Sequence, residues 1–229
     1  MAKNHPAILW DVGGTLVDFA CTLPQAVRSR LASCDVDHSR LTDQHIEQTY
    51  LDFISTEQQW RTIAHERAAE CNWLAALLRN QPFDPAAIKN IASIMPRYFN
   101  LYRPVPGLLP LLDDLRTREI PMAIVSNWPP SLPEFLHHHG LTQYFGPIVY
   151  SAQDGIHKPD PRIFQRALHA LRTTADRAIF IGDNPELDIR PARAMGMRAI
   201  NFDPRRNCDA RDAEDVPLLR KLLDNMLAA

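Results

Sequence analysis

Ala7-Ile8-Leu9-Trp10-Asp11-Val12-Gly13-Gly14-Thr15-Leu16 sets an architecture that the remainder of the chain must match. Its apolar run ending at Trp10 reads as a short buried strand. The run stops at Asp11, and two glycines follow. A carboxylate at the end of such a strand sits where open α/β sheets bind their ligands. Gly13 and Gly14 let the backbone come close to whatever Asp11 faces. The plainer alternative is a strand ending in a polar turn, with Asp11 capping a Gly-Gly bend.

The rest of the chain bears on that choice. At 229 residues it suits one large domain, or one domain carrying a smaller one. Hydrophobic residues make up 45% and charged residues 23%, enough apolar material for a sizeable core. A formal net charge of −2 argues against nucleic-acid partners and against a polybasic membrane surface. No apolar run approaches transmembrane length, and the N-terminus lacks the apolar segment of a signal peptide. Cys21, Cys34, Cys71 and Cys208 form no CxxC pair, so neither a zinc site nor a disulfide framework is expected. Free thiols in a reducing cytoplasm are the expectation.

From about Asp18 to about Arg103 the pattern is helical throughout, with no strand. Leu23 to Ala32 is one helix, and Thr42 caps another running through Ile46, Tyr50, Phe53 and Ile54. Gln58 to Arg79 holds one or two more. Asp84-Pro85 then pairs an N-cap with proline at the first helical position, starting a helix that passes Ile88 and Ile91 and is kinked or ended near Pro96. A connection this long is no strand-to-helix loop, which typically takes roughly 2–6 residues. It is read as an inserted all-helical domain, and Arg103-Pro104-Val105-Pro106-Gly107 as its return linker.

After Leu108 helices and strands alternate. Helices are expected over Leu108–Thr117, Ser131–His139, from Asp160-Pro161 through Leu171, Pro185–Met195 and Val216–Leu227. Strands are expected over Met122–Val125, Pro147–Tyr150, Ala178–Ile181 and Arg198–Phe202. Such alternation indicates a parallel sheet covered on both faces. The expected fold is a doubly wound, Rossmann-like α/β core from residues 1–17 and 104–229, with a helical domain at 18–103.

Parallel strands place their C-terminal ends together, so Asp11, Ser126-Asn127 and Gly182-Asp183 converge on one sheet edge. His157-Lys158-Pro159-Asp160, just before a helix, can join them. Only four residues of the chain are lysine, so Lys158 is conspicuous there. Carboxylates suit a hard cation such as Mg²⁺, while a hydroxyl and an ammonium suit phosphate oxygens. Asp11 is then a metal ligand, a nucleophile, or both.

Asp11-Val12-Gly13-Gly14-Thr15, Ser126, Lys158-Pro159-Asp160-Pro161 and Gly182-Asp183-Asn184-Pro185-Glu186-Leu187-Asp188 together resemble the four ordered motifs of the haloacid dehalogenase-like hydrolases. The resemblance spans the core from Ile8 to about Phe202, and the helical insert is similar to that family's cap. It implies that Asp11 attacks phosphorus and that Ser126, Asn127 and Lys158 hold the phosphoryl group. It further implies that Asp183, Asp11 and the Gly13 carbonyl bind Mg²⁺, with Asp188 supporting the metal or orienting Lys158. The activity implied is a phosphatase acting on a small phosphorylated metabolite.

One position departs from the pattern. Phosphatases of this family usually carry a second aspartate, the general acid and base, two residues after the nucleophile; here that residue is Gly13. Such catalysis is typically worth about 10²–10⁴-fold. Its loss is severe for an alkoxide leaving group and tolerable for an acyl or aryl phosphate. The alternatives are a catalytically impaired binding protein, or a C–P or C–halogen hydrolase. The last two fit less well, since Asp183 and Asp188 are both present and Lys89 is the insert's only lysine. Glu57, Arg61, His65 and His157 are candidate substitutes for the missing group. Trp128 either lines the leaving-group pocket or packs its own loop. The tract His137-His138-His139 ends a helix, where histidine suits the dipole, and is read as structural.

Overall fold

The computed structural model describes residues 5–19, 21–94, 101–204 and 215–228. Its central element is β1 (Ala7–Trp10), buried along its whole length. β4 (Met122–Ser126) and β6 (Ala178–Gly182) pair with it on either side, both parallel. β5 (Ile148–Tyr150) and β7 (Arg198–Asn201) complete a parallel sheet of order β5-β4-β1-β6-β7. The order reverses between β1 and β6, so the neighbouring strand ends there form the crevice in which such sheets bind ligands.

Side chains alternate across a strand, and here both faces are covered. Leu9, Ala123, Val125 and Phe180 pack in one cluster with Ile163, Phe164, Ala167 and Leu168 of α8 (Pro161–Ala170) and Ala192 of α9 (Arg190–Ala194). The Phe164 and Phe180 rings meet edge to face with centroids 5.1 Å apart. Ile8, Trp10, Ile124, Ile179 and Ile181, on the opposite face, are just as buried. This two-sided burial is why the strands read as unbroken apolar runs. α5 (Leu108–Thr117), α6 (Leu132–His138) and α10 (Val216–Ala228) each bury an apolar stripe, and the one-turn α7 (Ser151–Asp154) follows β5.

The chain divides into two compact units. One comprises Met1–Asp18, Pro104–Trp128 and Leu132–Ala229; the other comprises Phe19–Arg103 together with Pro129–Ser131. The second unit contains α1 (Leu23–Ala32), α2 (Asp43–Ile54), α3 (Ile63–Leu77) and α4 (Pro85–Ile94) around Val27, Leu31, Ile46, Trp73, Leu74, Leu77 and Ile88. Each helix starts on a side-chain cap. Thr22 and Gln25 form a reciprocal capping box, Thr42 and Thr62 accept from the amides of His45 and His65, and Asp84 accepts from Ala87 N–H at 2.7 Å. Such caps are typically worth about 1 kcal/mol each.

Two local expectations need correction. The 18–103 segment is not free of strand: β2 (Val17–Phe19) and β3 (Tyr102–Pro104) pair as a two-stranded ribbon. Phe19 stacks on Tyr102 with ring centroids 4.6 Å apart. Strands of three residues are too short to show periodicity. The Pro185–Met195 helix also opens differently, with a π-helical turn over Pro185–Ile189 before α9. Pro191 lacks the N–H that would bond the Leu187 carbonyl, so the regular α ladder cannot run unbroken through this stretch. The kink expected near Pro96 lies outside the described residues.

Candidate active site

Asp11, Ser126 and Asp183 stand at or just beyond the C-terminal ends of β1, β4 and β6, and the parallel registers bring these ends together. Ser126 Oγ donates to Asp11 Oδ1 at 2.9 Å. Lys158 Nζ donates to the same oxygen at 2.6 Å and to Asp188 Oδ1 at 2.6 Å. Both bonds to Asp11 fall on Oδ1; its Oδ2 accepts none from the described residues.

These groups are dry, with Lys158 and Asp11 each 5% exposed and Ser126 and Asp188 1%. Burial works against the Lys158 charge, but Asp11 and Asp188 outweigh it and hold the ammonium above the usual lysine range. Burial pushes the Asp188 carboxyl up to about 6 against the pull of Lys158, and the charge on Asp11 adds to the rise. The Phe180 ring lies 5.8 Å from the ammonium.

A set of main-chain anchors holds the arrangement. The Asn127 amide donates to the Lys158 carbonyl at 3.1 Å and accepts from the Lys158 N–H at 2.7 Å. The Asn127 side chain, expected among the phosphate ligands, makes both of these bonds to the Lys158 main chain. Asn184 caps the π turn, and its own N–H donates to Asp188 Oδ2 at 3.1 Å. Gly182 makes room for that carboxylate: a Cβ there would lie 2.5 Å from Asp188 Oδ2. Turned with its NH₂ toward them, the Asn201 amide donates to the carbonyls of Gly182 and Asp183 at 3.3 and 3.0 Å.

Among the described residues, one group of acidic, His or Cys side chains is close enough to hold a metal: Asp11, Asp183 and Asp188, with ligand atoms all within 4.8 Å of one another. These donors are all oxygens, and with Lys158 they leave a formal excess of two negative charges, which one divalent cation cancels. The set therefore fits a hard cation. The histidine tract is outside it, and the His139 ring instead packs on Phe135 at 4.6 Å. Cys21, Cys34 and Cys71 are free thiols.

The candidate acid–base groups are scattered. His157 is half-buried beside Lys158. His65 Nδ1 accepts from the Arg61 N–H at 3.4 Å at the start of α3. Glu57 is half-buried in the helical unit, and burial pushes its carboxyl up to about 7. In the same unit, buried Glu66 accepts from both the N–H and the hydroxyl of Ser131, at 3.1 and 2.6 Å. The sequence reading missed this contact, because nothing local links residues 65 positions apart.

A family model for haloacid dehalogenase-like hydrolases matches residues 5–196. The chain is 35% identical over 137 residues to a phosphoserine phosphatase of Thermus thermophilus, a match covering 59% of this chain and about half, 54%, of that protein. It is 28% identical over 232 residues to a glyceraldehyde 3-phosphate phosphatase of Methanopyrus kandleri, covering 95% of each. Among solved structures, a 2-haloacid dehalogenase from Pseudomonas syringae superposes with a TM-score of 0.66 at 23% identity, covering 96% of this chain and 99% of the other. That likeness is one of fold. No helix among the described residues is long and apolar enough to cross a membrane. The chain belongs to the haloacid dehalogenase-like hydrolases.

Proposed function

We propose that the protein is a Mg²⁺-dependent phosphatase that acts on a small phosphorylated metabolite through a phosphoaspartate at Asp11. The observation that carries this reading is the buried Ser126–Asp11–Lys158–Asp188 chain of hydrogen bonds beside Asp183. An acidic, metal-competent cluster next to a lysine suits phosphoryl transfer, where catalysis is mostly positioning and charge neutralisation. Both relatives named above are phosphatases.

Asp11 Oδ2 attacks phosphorus. The bond to the leaving oxygen breaks, and that oxygen departs with the electron pair. Ser126 Oγ–H and Lys158 Nζ–H donate to the phosphoryl oxygens during transfer. Water then attacks phosphorus, the bond to Asp11 breaks, inorganic phosphate leaves, and the carboxylate is restored. Asp11, Asp183 and the Gly13 carbonyl would hold Mg²⁺, which when bound supplies charge neutralisation at the phosphoryl oxygens. Asp188, whose oxygens already accept from Lys158 and Asn184, fixes the ammonium and adds charge beside the metal. Asn127 positions Lys158. The helical unit at 18–103 is read as the specificity-setting cap, and a cytoplasmic setting suits the free thiols.

Gly13 favours one other reading, a catalytically impaired relative that binds a phosphorylated ligand. Turnover of acetyl phosphate and 4-nitrophenyl phosphate, with Mg²⁺ and with EDTA, separates the two. Metal-dependent release of phosphate from either substrate supports the enzyme. No release by folded protein sinks it and leaves the binding reading.

A further inference from the structure

Gly13 lies two residues beyond Asp11, and Trp128 lies two residues beyond Ser126, whose hydroxyl touches Asp11. A Cβ built at Gly13 would lie 3.2 Å from Trp128 Cζ3, which, chain neighbours aside, is the one heavy atom within 4 Å among the described residues. That is closer than ordinary van der Waals contact, so a side chain at 13 needs the indole to yield. The indole is poorly placed to yield. Trp128 is 7% exposed, and its main chain is fixed: the main-chain N–H donates to Ser151 Oγ at 3.0 Å, and the main-chain carbonyl accepts from the same hydroxyl at 3.3 Å. Its ring packs on Phe135 with centroids 4.6 Å apart.

The geometry points to Trp128 as a specificity-determining residue. The edge of its indole crowds the position that a residue-13 Cβ would take, so a carboxylate at 13 has to displace the ring. This rests on the phosphatase reading. A leaving oxygen beside this wall meets no proton donor from residue 13, so turnover is confined to acyl and aryl phosphates, whose leaving groups depart as anions. Gly13 and Trp128 are one device, and restoring an aspartate at 13 alone does not undo it.

The test is a double-mutant cycle with Gly13→Asp and Trp128→Ala, reading kcat/KM for glycerol 3-phosphate and 4-nitrophenyl phosphate. In the Trp128→Ala background, Gly13→Asp is expected to raise alkyl-phosphate turnover by about 10²-fold, the lower end of acid–base catalysis. In the native background it gives less than about a tenth of that rise. The aryl-to-alkyl ratio falls sharply in the double variant only. A full rise from Gly13→Asp alone, or no rise in either background, overturns the proposal. Should the aspartate variants fail to fold, Gly13→Ala serves in their place. It lowers the melting temperature when Trp128 is present and not in Trp128→Ala, and equal losses in both backgrounds overturn the proposal. No turnover of either phosphate by the folded native chain overturns the reaction itself, and the specificity with it. Native aryl turnover with a flat cycle overturns the specificity alone.

Discussion

Lys158→Met removes the cation that donates to two buried carboxylates. The Lys158 side chain is 3% exposed, those of Asp188 and Asp11 are 1% and 8%, and each ion pair is 2.6 Å long. Replacing a whole buried ion pair by apolar groups is often neutral, whereas removing one partner strands the other charge, at a cost of about 3–5 kcal/mol. Here two acceptors lose one donor, so the single substitution should fall in that range. For a chain of this size about 2–4 °C per kcal/mol is typical, so the melting temperature should drop by roughly 6–20 °C. The assay is thermal and urea unfolding followed by circular dichroism in EDTA, which prevents a divalent ion from taking over the lost charge. Lys158→Met/Asp188→Asn should recover about 1–3 kcal/mol of the loss, since the amide leaves no second unpaired charge. A single variant within about 1 kcal/mol of the native protein would refute the idea that Lys158 neutralises this cluster.

Three further outcomes are expected. Glu57 has its folded carboxyl raised to about 7 from 4.5, so its contribution to stability is present below pH 4.5 and is lost as pH rises through 7. Glu57→Gln should therefore gain on the native protein above pH 7, by at most roughly 3 kcal/mol, and not at pH 4; urea midpoints at both pH values check this. Gly182→Ala should destabilise by about 1–3 kcal/mol, because the new methyl lands 2.5 Å from Asp188 Oδ2, while Gly146→Ala, with nothing nearer than 4.0 Å, should be close to neutral. Mg²⁺ should raise the melting temperature of the native chain in a saturable way, and Asp183→Asn should abolish that rise; an equal rise in both proteins would place the ion elsewhere.

Much of the fold was legible because its signals are local. The apolar run ending at Trp10 is β1, the Asp84-Pro85 and Asp160-Pro161 pairs each start a helix, and Gly140 and Gly196 end theirs with φ of +68° and +90°. β2 and β3 escaped because a three-residue strand is specified by its partner, here through Phe19 on Tyr102. The π turn did leave a trace in Pro191, whose missing N–H bars an unbroken α ladder. At the site, residue types at strand ends identified the charged groups, and topology made them converge. What holds them was not legible. Asn127 clamps a main chain 31 positions away, and the Trp128 indole lies 3.2 Å from where a Cβ at Gly13 would stand, an approach between distant loops. Such contacts arise from packing, which residue types and local spacing do not encode.

Asp11 is expected to become phosphorylated during turnover. Acid quenching of the native protein during steady-state turnover of acetyl phosphate with Mg²⁺, followed by peptide mass mapping, measures this directly. The expected result is a single phosphoryl adduct on the peptide that carries Asp11, decaying once substrate is spent and absent from Asp11→Asn. Continued phosphate release with no adduct on Asp11, or an adduct that survives in Asp11→Asn, would contradict the account.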